Sequence, residues 1–162
     1  MPRWIWTVIA VTLVAGTSVV AVVAIRPAAK PACAGPIEDP LDPRSLQHSL
    51  PGGPPPSYAT EPPSSGPHQP GHLAGGVRGE PLAGPVQVGA LEEGQVLLQH
   101  RDLDPAERSR LEALAGPQVI VAPNPALPAR VVASAWRTRQ LCRVVDTRAL
   151  GRFVSRHAGR GA

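Results

Sequence analysis

Few side chains in this sequence could carry chemistry, and they are scattered. They are five histidines (His48, His68, His72, His100 and His157), the adjacent carboxylates Glu92 and Glu93, and the serines of PPSSGPH at 62–68. His68 and His72 stand four apart, the spacing at which a helix aims two imidazoles at one ion. Pro70 and Gly71 between them exclude a regular helix, so convergence would have to come from a loop. Ser65 with His68 is the only nearby pairing of a nucleophile with a base. There is no Gly-rich phosphate loop, nucleophile elbow, CxxC pair or HExxH helix, which leaves hydrolase and redox readings without a motif. The plain alternative is solvated loop histidines, with His157 adding a favourable charge at the end of the last helix.

The stretch that would position these groups is YATEPPSSGPH, residues 58–68. Pro62 and Pro63 fix two φ angles and bias Glu61 toward extended backbone, and Gly66 before Pro67 permits a geometry that a side chain would obstruct. The sequence therefore predicts a stiff loop running from Tyr58 to His68. It would hold Ser64, Ser65 and the His68 imidazole at low entropic cost, as a binding loop does.

Around this loop the composition is skewed. Pro 21 and Gly 16 exceed a fifth of the 162 residues, and aromatic residues make up 3%, so the core must be aliphatic and modest. Twelve of the prolines fall between residues 31 and 70, which marks 31–57 as a Pro-rich tether with little regular structure. Within it, residues 45–49 have the makings of one short helical turn carrying His48.

Residues 4–25 contain no charge, and at helical rise they span roughly 33 Å, enough for a hydrocarbon core of about 30 Å. They are expected to be a transmembrane anchor, with Trp4 and Trp6 at the interface. A cleaved signal peptide ending near Ala34 is the competing reading. Positive charges on the two sides nearly balance, but a single N-terminal apolar segment commonly exports the chain beyond it. The expected location is thus a single-pass membrane protein with its C-terminal domain outside the cytoplasm. Cys33 and Cys142 suit an oxidising compartment. If they pair, closing a loop of about 110 residues would stabilise by roughly 4–5 kcal/mol in the chain-entropy model; two free thiols are the alternative.

Residues 58–162 are expected to form one small domain. VQVGA at 86–90 and GQVLLQH at 94–100 read as two strands of a hairpin. Asp104 as cap, Pro105, Glu107 and the apolar pair Leu111 and Leu114 predict a helix to about residue 115. QVIVA at 118–122 and RVVASAW at 130–136 read as strands, the latter with Trp136 as the largest core side chain. Asp146 opens a last helix through Leu150, Phe153 and Val154. The fold class is α+β, a small mixed sheet of about four strands covered by two helices, with strand 94–100, helix 105–115 and strand 118–122 making one right-handed crossover.

From residue 127 onward eight arginines face Asp146 as the only acid. Such a surface could contact anionic lipid or an acidic envelope polymer. Nucleic acid is not expected, because an exported domain rarely meets it and the stacking aromatics are missing.

Taken together, the anchor, Tyr58, PPSSGPH at 62–68, LEEG at 91–94, VVASAW at 131–136 and the final helix resemble a bacterial family, domain of unknown function 3105 (DUF3105), over roughly residues 45–158. In its pattern a Tyr precedes Pro-Pro-Thr-Ser-Gly-Pro-His, with Val-His, Leu-Glu-His-Gly and Thr-Ala-Trp further along. Ser64 stands for the Thr, and His48 takes the place of an upstream histidine. Gly89 and Glu93 stand where the pattern has histidine. If those histidines form a metal or proton-transfer site, this chain lacks two candidate ligands; Glu93 as an oxygen ligand would shift preference away from copper toward zinc or harder ions. Two functional expectations arise. The first is a non-enzymatic binding module that displays the loop formed by Tyr58, Pro62, Pro63, Ser65, Gly66, Pro67 and His68. The alternative is a copper- or zinc-binding domain using His68 with His48, His72, Glu92 or Glu93.

Overall fold

The computed structural model describes residues 30–50 and 52–162. The apolar run 4–25 lies outside them, and among the described residues no helix is long and apolar enough to cross a membrane.

The helix with the clearest punctuation in the sequence forms as expected. Asp104 accepts from the Glu107 N–H at 2.8 Å, Glu107 Oε2 accepts back from the Asp104 N–H at 3.3 Å, and Pro105 needs no partner at the first turn. This helix (α2, Pro105–Glu112) links two parallel strands, β3 (Val96–His100) and β4 (Val119–Pro123), with Val96 opposite Val119. The anticipated crossover is therefore present.

The hairpin expected before it is absent. Residues 84–92 form a helix (α1, Gly84–Glu92), and Gly94, at φ 82°, turns the chain from it straight into β3. Five residues, VQVGA, cannot separate a period of 2 from one of 3.6 when both sides are buried, and here Gln87, Val88, Gly89, Ala90 and Leu91 all are. Pro85 in the first turn was the helix signal.

The sheet has six strands rather than about four, ordered β1-β6-β5-β3-β4-β2. β1 (Ile37–Glu38) and β2 (Gly76–Val77) are two-residue edges. β6 (Thr138–Cys142) pairs antiparallel with β5 (Val131–Ala135) through the two-residue turn Trp136-Arg137, where Arg137 takes φ 54°. That turn has no Gly, Asn or Asp, so the sequence offers a strand at 130–136 and no signal for β6 after it. Trp136 consequently sits half-buried at the turn rather than in the core.

Handedness sets the layers. The path β2–α1–β3 crosses the sheet in one direction and β3–α2–β4 returns in the other, so two right-handed crossovers place α1 and α2 on opposite faces. α2 and α3 (Thr147–His157), capped by Asp146, cover one face through Leu111, Leu150 and Phe153 against Val96, Leu98, Val119 and Val121. α1 covers the other through Ala90 and Leu91 against Leu97 and Ile120. The Cys33–Cys142 disulfide, with partners 109 residues apart in sequence, fastens the Pro-rich stretch to β6. Beyond it, residues 37–49 have little regular structure but run along the sheet edge and over the loop 62–68.

Candidate functional site

The loop 62–68 is stiff, as its prolines and Gly66 require, but it is not displayed: every residue from Pro62 to His68 is buried. Segment 39–49 lies across it and takes up its polar groups. The Ser64 hydroxyl donates to Asp39 Oδ2 at 2.7 Å, the Asp42 N–H donates to Ser65 Oγ at 3.0 Å, and the Gly66 N–H donates to Ser45 Oγ at 3.1 Å. His68 is bracketed by backbone bonds, its N–H to Gln47 O at 3.1 Å and its O from the Ser49 N–H at 2.7 Å. Tyr58 closes the far side, donating its hydroxyl to Pro67 O at 2.7 Å. Gly66 sits at φ 122°, where an added Cβ would lie 3.1 Å from both the Tyr58 ring and Asp42 Oδ2.

The centre of this clamp is an ion pair that sequence reasoning missed. Asp39, 5% exposed, receives Arg139 Nε at 2.6 Å and Nη2 at 2.8 Å, a bidentate contact between residues 100 positions apart. Burial alone would raise the Asp39 pKa, but the hydrogen bonds from Arg139 and Ser64 outweigh it and hold the carboxyl below its ordinary value. The Arg44 guanidinium, foremost, does the same for Asp42. Only the acidic turn IEDP hinted at Asp39, and nothing local pointed to Arg139. Tyr58 moves the other way: burial, opposed by Arg44 and aided by Asp42, raises its phenol to about 12.

Of the proposed metal ligands, three come together. His68 Nε2 is fully buried and Glu92 Oε2 approaches it to 2.6 Å, but off the ring N–H axis, so Nε2 has no aligned hydrogen bond. The His48 ring lies edge-on to His68 at 5.0 Å. His72 is elsewhere, lining a separate cleft with Gln69 and Val86, and Glu93 is exposed at the end of α1. Among the described residues, no three His, Cys, Asp or Glu side chains are arranged to hold a metal ion. Gly89 lies on the α1 face that meets this segment: an added Cβ would stand 2.2 Å from Gln69 O, so the loop rests directly on helix backbone.

The remaining sequence candidates resolve simply. Ser65 and His68 do not bond to each other; His68 Nδ1 faces Gly66 O at 3.2 Å. His100 lines a distinct cleft of about 320 Å³ at the C-terminal ends of β3 and β4, where burial and then Arg108 push its pKa down. His157, expected as a helix-end cation, packs on Phe153 at 4.5 Å, and burial, then Arg156 and Arg160, lowers its pKa.

Two clefts open at the loop: one of about 280 Å³ between Tyr58, Glu61 and Pro63 and the start of α1, and one of about 220 Å³ between the loop and segment 39–43. In the cleft at segment 39–43, Pro40, Leu41, Pro43 and Ala59 form apolar walls, and Asp39, Asp42, Thr60, Ser64 and Ser65 supply polar groups.

The architecture is that of a small α+β domain with a mixed six-stranded sheet and a histidine-bearing loop clamped beneath its N-terminal segment. Residues 53–162 match the model of a family described as protein of unknown function (DUF3105), and the chain belongs to that family. No curated protein and no solved structure matches it.

Proposed function

We propose that this protein is a membrane-anchored, extracytoplasmic binding module rather than an enzyme, and that it recognises an apolar side chain of a protein partner in the cleft between the loop and segment 39–43. The observation that carries this reading is the clamp itself. Hydrogen bonds donated by Ser64 and Gly66 and accepted by Ser65, with the Asp39–Arg139 pair, fix both walls before any ligand arrives, which lowers the entropic cost of binding. The cleft volume, about 220 Å³, is below the ~300–1,000 Å³ of ordinary small-molecule sites and fits a protruding side chain. The Cys33–Cys142 bond favours an oxidising compartment, and the uncharged run 4–25 supplies the anchor.

A photoreactive residue placed at Leu41, on the cleft wall, should give a discrete adduct in intact membranes. Filling the cleft by Thr60→Trp should abolish it. No adduct, or one indifferent to Thr60→Trp, defeats the reading.

The metal alternative has one observation in its favour, the buried His68 Nε2 without an aligned partner beside Glu92 and His48. Titration of the full chain with zinc and with copper, wild type against His68→Ala, tests it. Stoichiometric binding lost in the variant would make the loop a ligand platform.

A further inference from the structure

The eight arginines after residue 127 divide into two groups. Arg130, Arg137 and Arg139 are paired with Glu107, Glu38 and Asp39. Arg143, Arg148, Arg152, Arg156 and Arg160 have no carboxylate within ion-pairing reach among the described residues, and residues 1–29 contain no acid. All five are exposed. Arg148, Arg152 and Arg156 recur every four residues along α3, which stacks them on one side of the helix. The nearest acid in sequence, Asp146, is engaged in capping α3 through the Ala149 N–H.

Their place in the fold matters as much as their charge. The chain arriving from residues 4–25 first meets the domain here. Arg143 Nη2 donates to the carbonyls of Lys30 and Pro31, at 2.6 and 3.0 Å, Cys33 is bonded to Cys142, and Pro36 shares a shallow cleft with Arg152 and Arg156. Lys30 follows Ile25 by only five positions, at most roughly 18 Å of extended chain. Of the unpaired arginines, Arg143, Arg152 and Arg156 therefore lie beside residues 30–36, the stretch that follows the apolar run. A like-charged row gains nothing from its neighbours. Near a bilayer carrying negative headgroups it gains on each residue that comes within about a Debye length, ~8 Å at physiological salt.

We infer that α3 is a lipid-facing surface on which Arg148, Arg152 and Arg156 contact the anionic phospholipid headgroups of the membrane in which the chain is anchored. The inference rests on the anchor reading of residues 4–25 and is independent of the cleft at the loop. Docking of α3 would hold the domain in one orientation on the bilayer.

The test uses the full chain reconstituted in lipid nanodiscs, either phosphatidylcholine alone or phosphatidylcholine mixed with phosphatidylglycerol. Arginine modification by phenylglyoxal is then quantified at each position by mass spectrometry. Labelling of Arg148, Arg152 and Arg156 should fall several-fold in the anionic discs and recover in high salt, while Arg108 and Arg110 on α2 stay unchanged. Equal labelling of α3 in both discs overturns the inference, as does a parallel fall on α2, which would be general shielding. Protection by soluble polyphosphate without protection by anionic discs would replace lipid with a soluble polyanion and also overturns it. A chain that does not co-elute with the discs overturns the anchor reading, and this inference with it.

Discussion

The two faces of the sheet are built on different principles. The face under α2 and α3 is aliphatic, with Val96, Leu98, Leu111, Val131, Leu150 and Phe153 in one buried cluster. The face under α1 and the loop has a much smaller apolar cluster, Ala90, Leu91, Leu97 and Ile120, and beside it the buried Asp39 with its partner Arg139, and the buried His68, Gln99 and Ser134. Strand pairing places Gln99 and Ser134 on the same side as Leu97, and both amide atoms of Gln99 and the Ser134 hydroxyl lack a hydrogen-bond partner among the described residues. A fold that could have been apolar on both sides keeps polar groups on one, so the α2/α3 face supplies most of the apolar burial and the loop face holds the buried polar groups.

That comparison can be broken in several places. Truncating the aliphatic face should cost most: Phe153→Ala is expected to destabilise by about 3–5 kcal/mol in chemical denaturation, and a loss below about 1 would remove its status as the main core. On the polar face, Asp39→Asn leaves the partly buried Arg139 without its counter-charge, with an expected loss of about 3 kcal/mol. Because the Asp39 pKa is lowered in the fold, its contribution is present above the unfolded value, near 4, and fades as pH falls through the folded one. Acid denaturation of Asp39→Asn should accordingly be flatter than that of the parent; an unchanged acid limb would detach this pair from stability.

Gly89→Ala sets two effects against each other. Helix propensity favours alanine by up to about 1 kcal/mol, whereas an added Cβ 2.2 Å from Gln69 O forces the loop off α1, so a net loss of about 1–2 kcal/mol is expected. A gain in stability would show that the loop does not rest on the helix. Gln99→Met should change stability by less than about 1 kcal/mol in either direction, since no hydrogen bond is lost. A cost of about 2 kcal/mol or more would mean that the amide is satisfied after all and that the two faces are closer in character. Smallest in energy but sharpest in readout is the titration of Tyr58, the single tyrosine. Its ultraviolet ionisation should come at about 12 in the folded protein. With the neutral form favoured by folding, the associated stability is complete below the unfolded value near 10 and is lost as pH rises from there toward the folded one. A midpoint near 10 would mean that the clamp is open at Tyr58.

The sequence was most legible where signals are local. The Asp104-Pro105-Glu107 cap, the Asp146 cap and the apolar runs of β3, β4 and β5 each declare themselves within a few residues. It was least legible where one element depends on another. VQVGA became a helix because it is buried between the sheet and residues 68–70, and β6 was hidden by a turn, Trp136-Arg137, that lacks turn residues. The candidate site divides the same way. The stiffness of PPSSGPH can be read from residue types, but the burial of the loop depends on segment 39–49, whose prolines read as a free tether.

By itself the sequence determined the family, the α+β class, the crossover through α2, the uncharged run at the N-terminus and the excess of arginine at the C-terminal end. These rest on local propensity and composition, which each short stretch carries alone. Only the tertiary structure decided which way the loop faces, which of the histidines meet, that Asp39 finds Arg139, and that Arg143 reaches the carbonyls of Lys30 and Pro31. Those pairings join residues up to about a hundred positions apart, and their register is set by sheet order and handedness, which no local window contains.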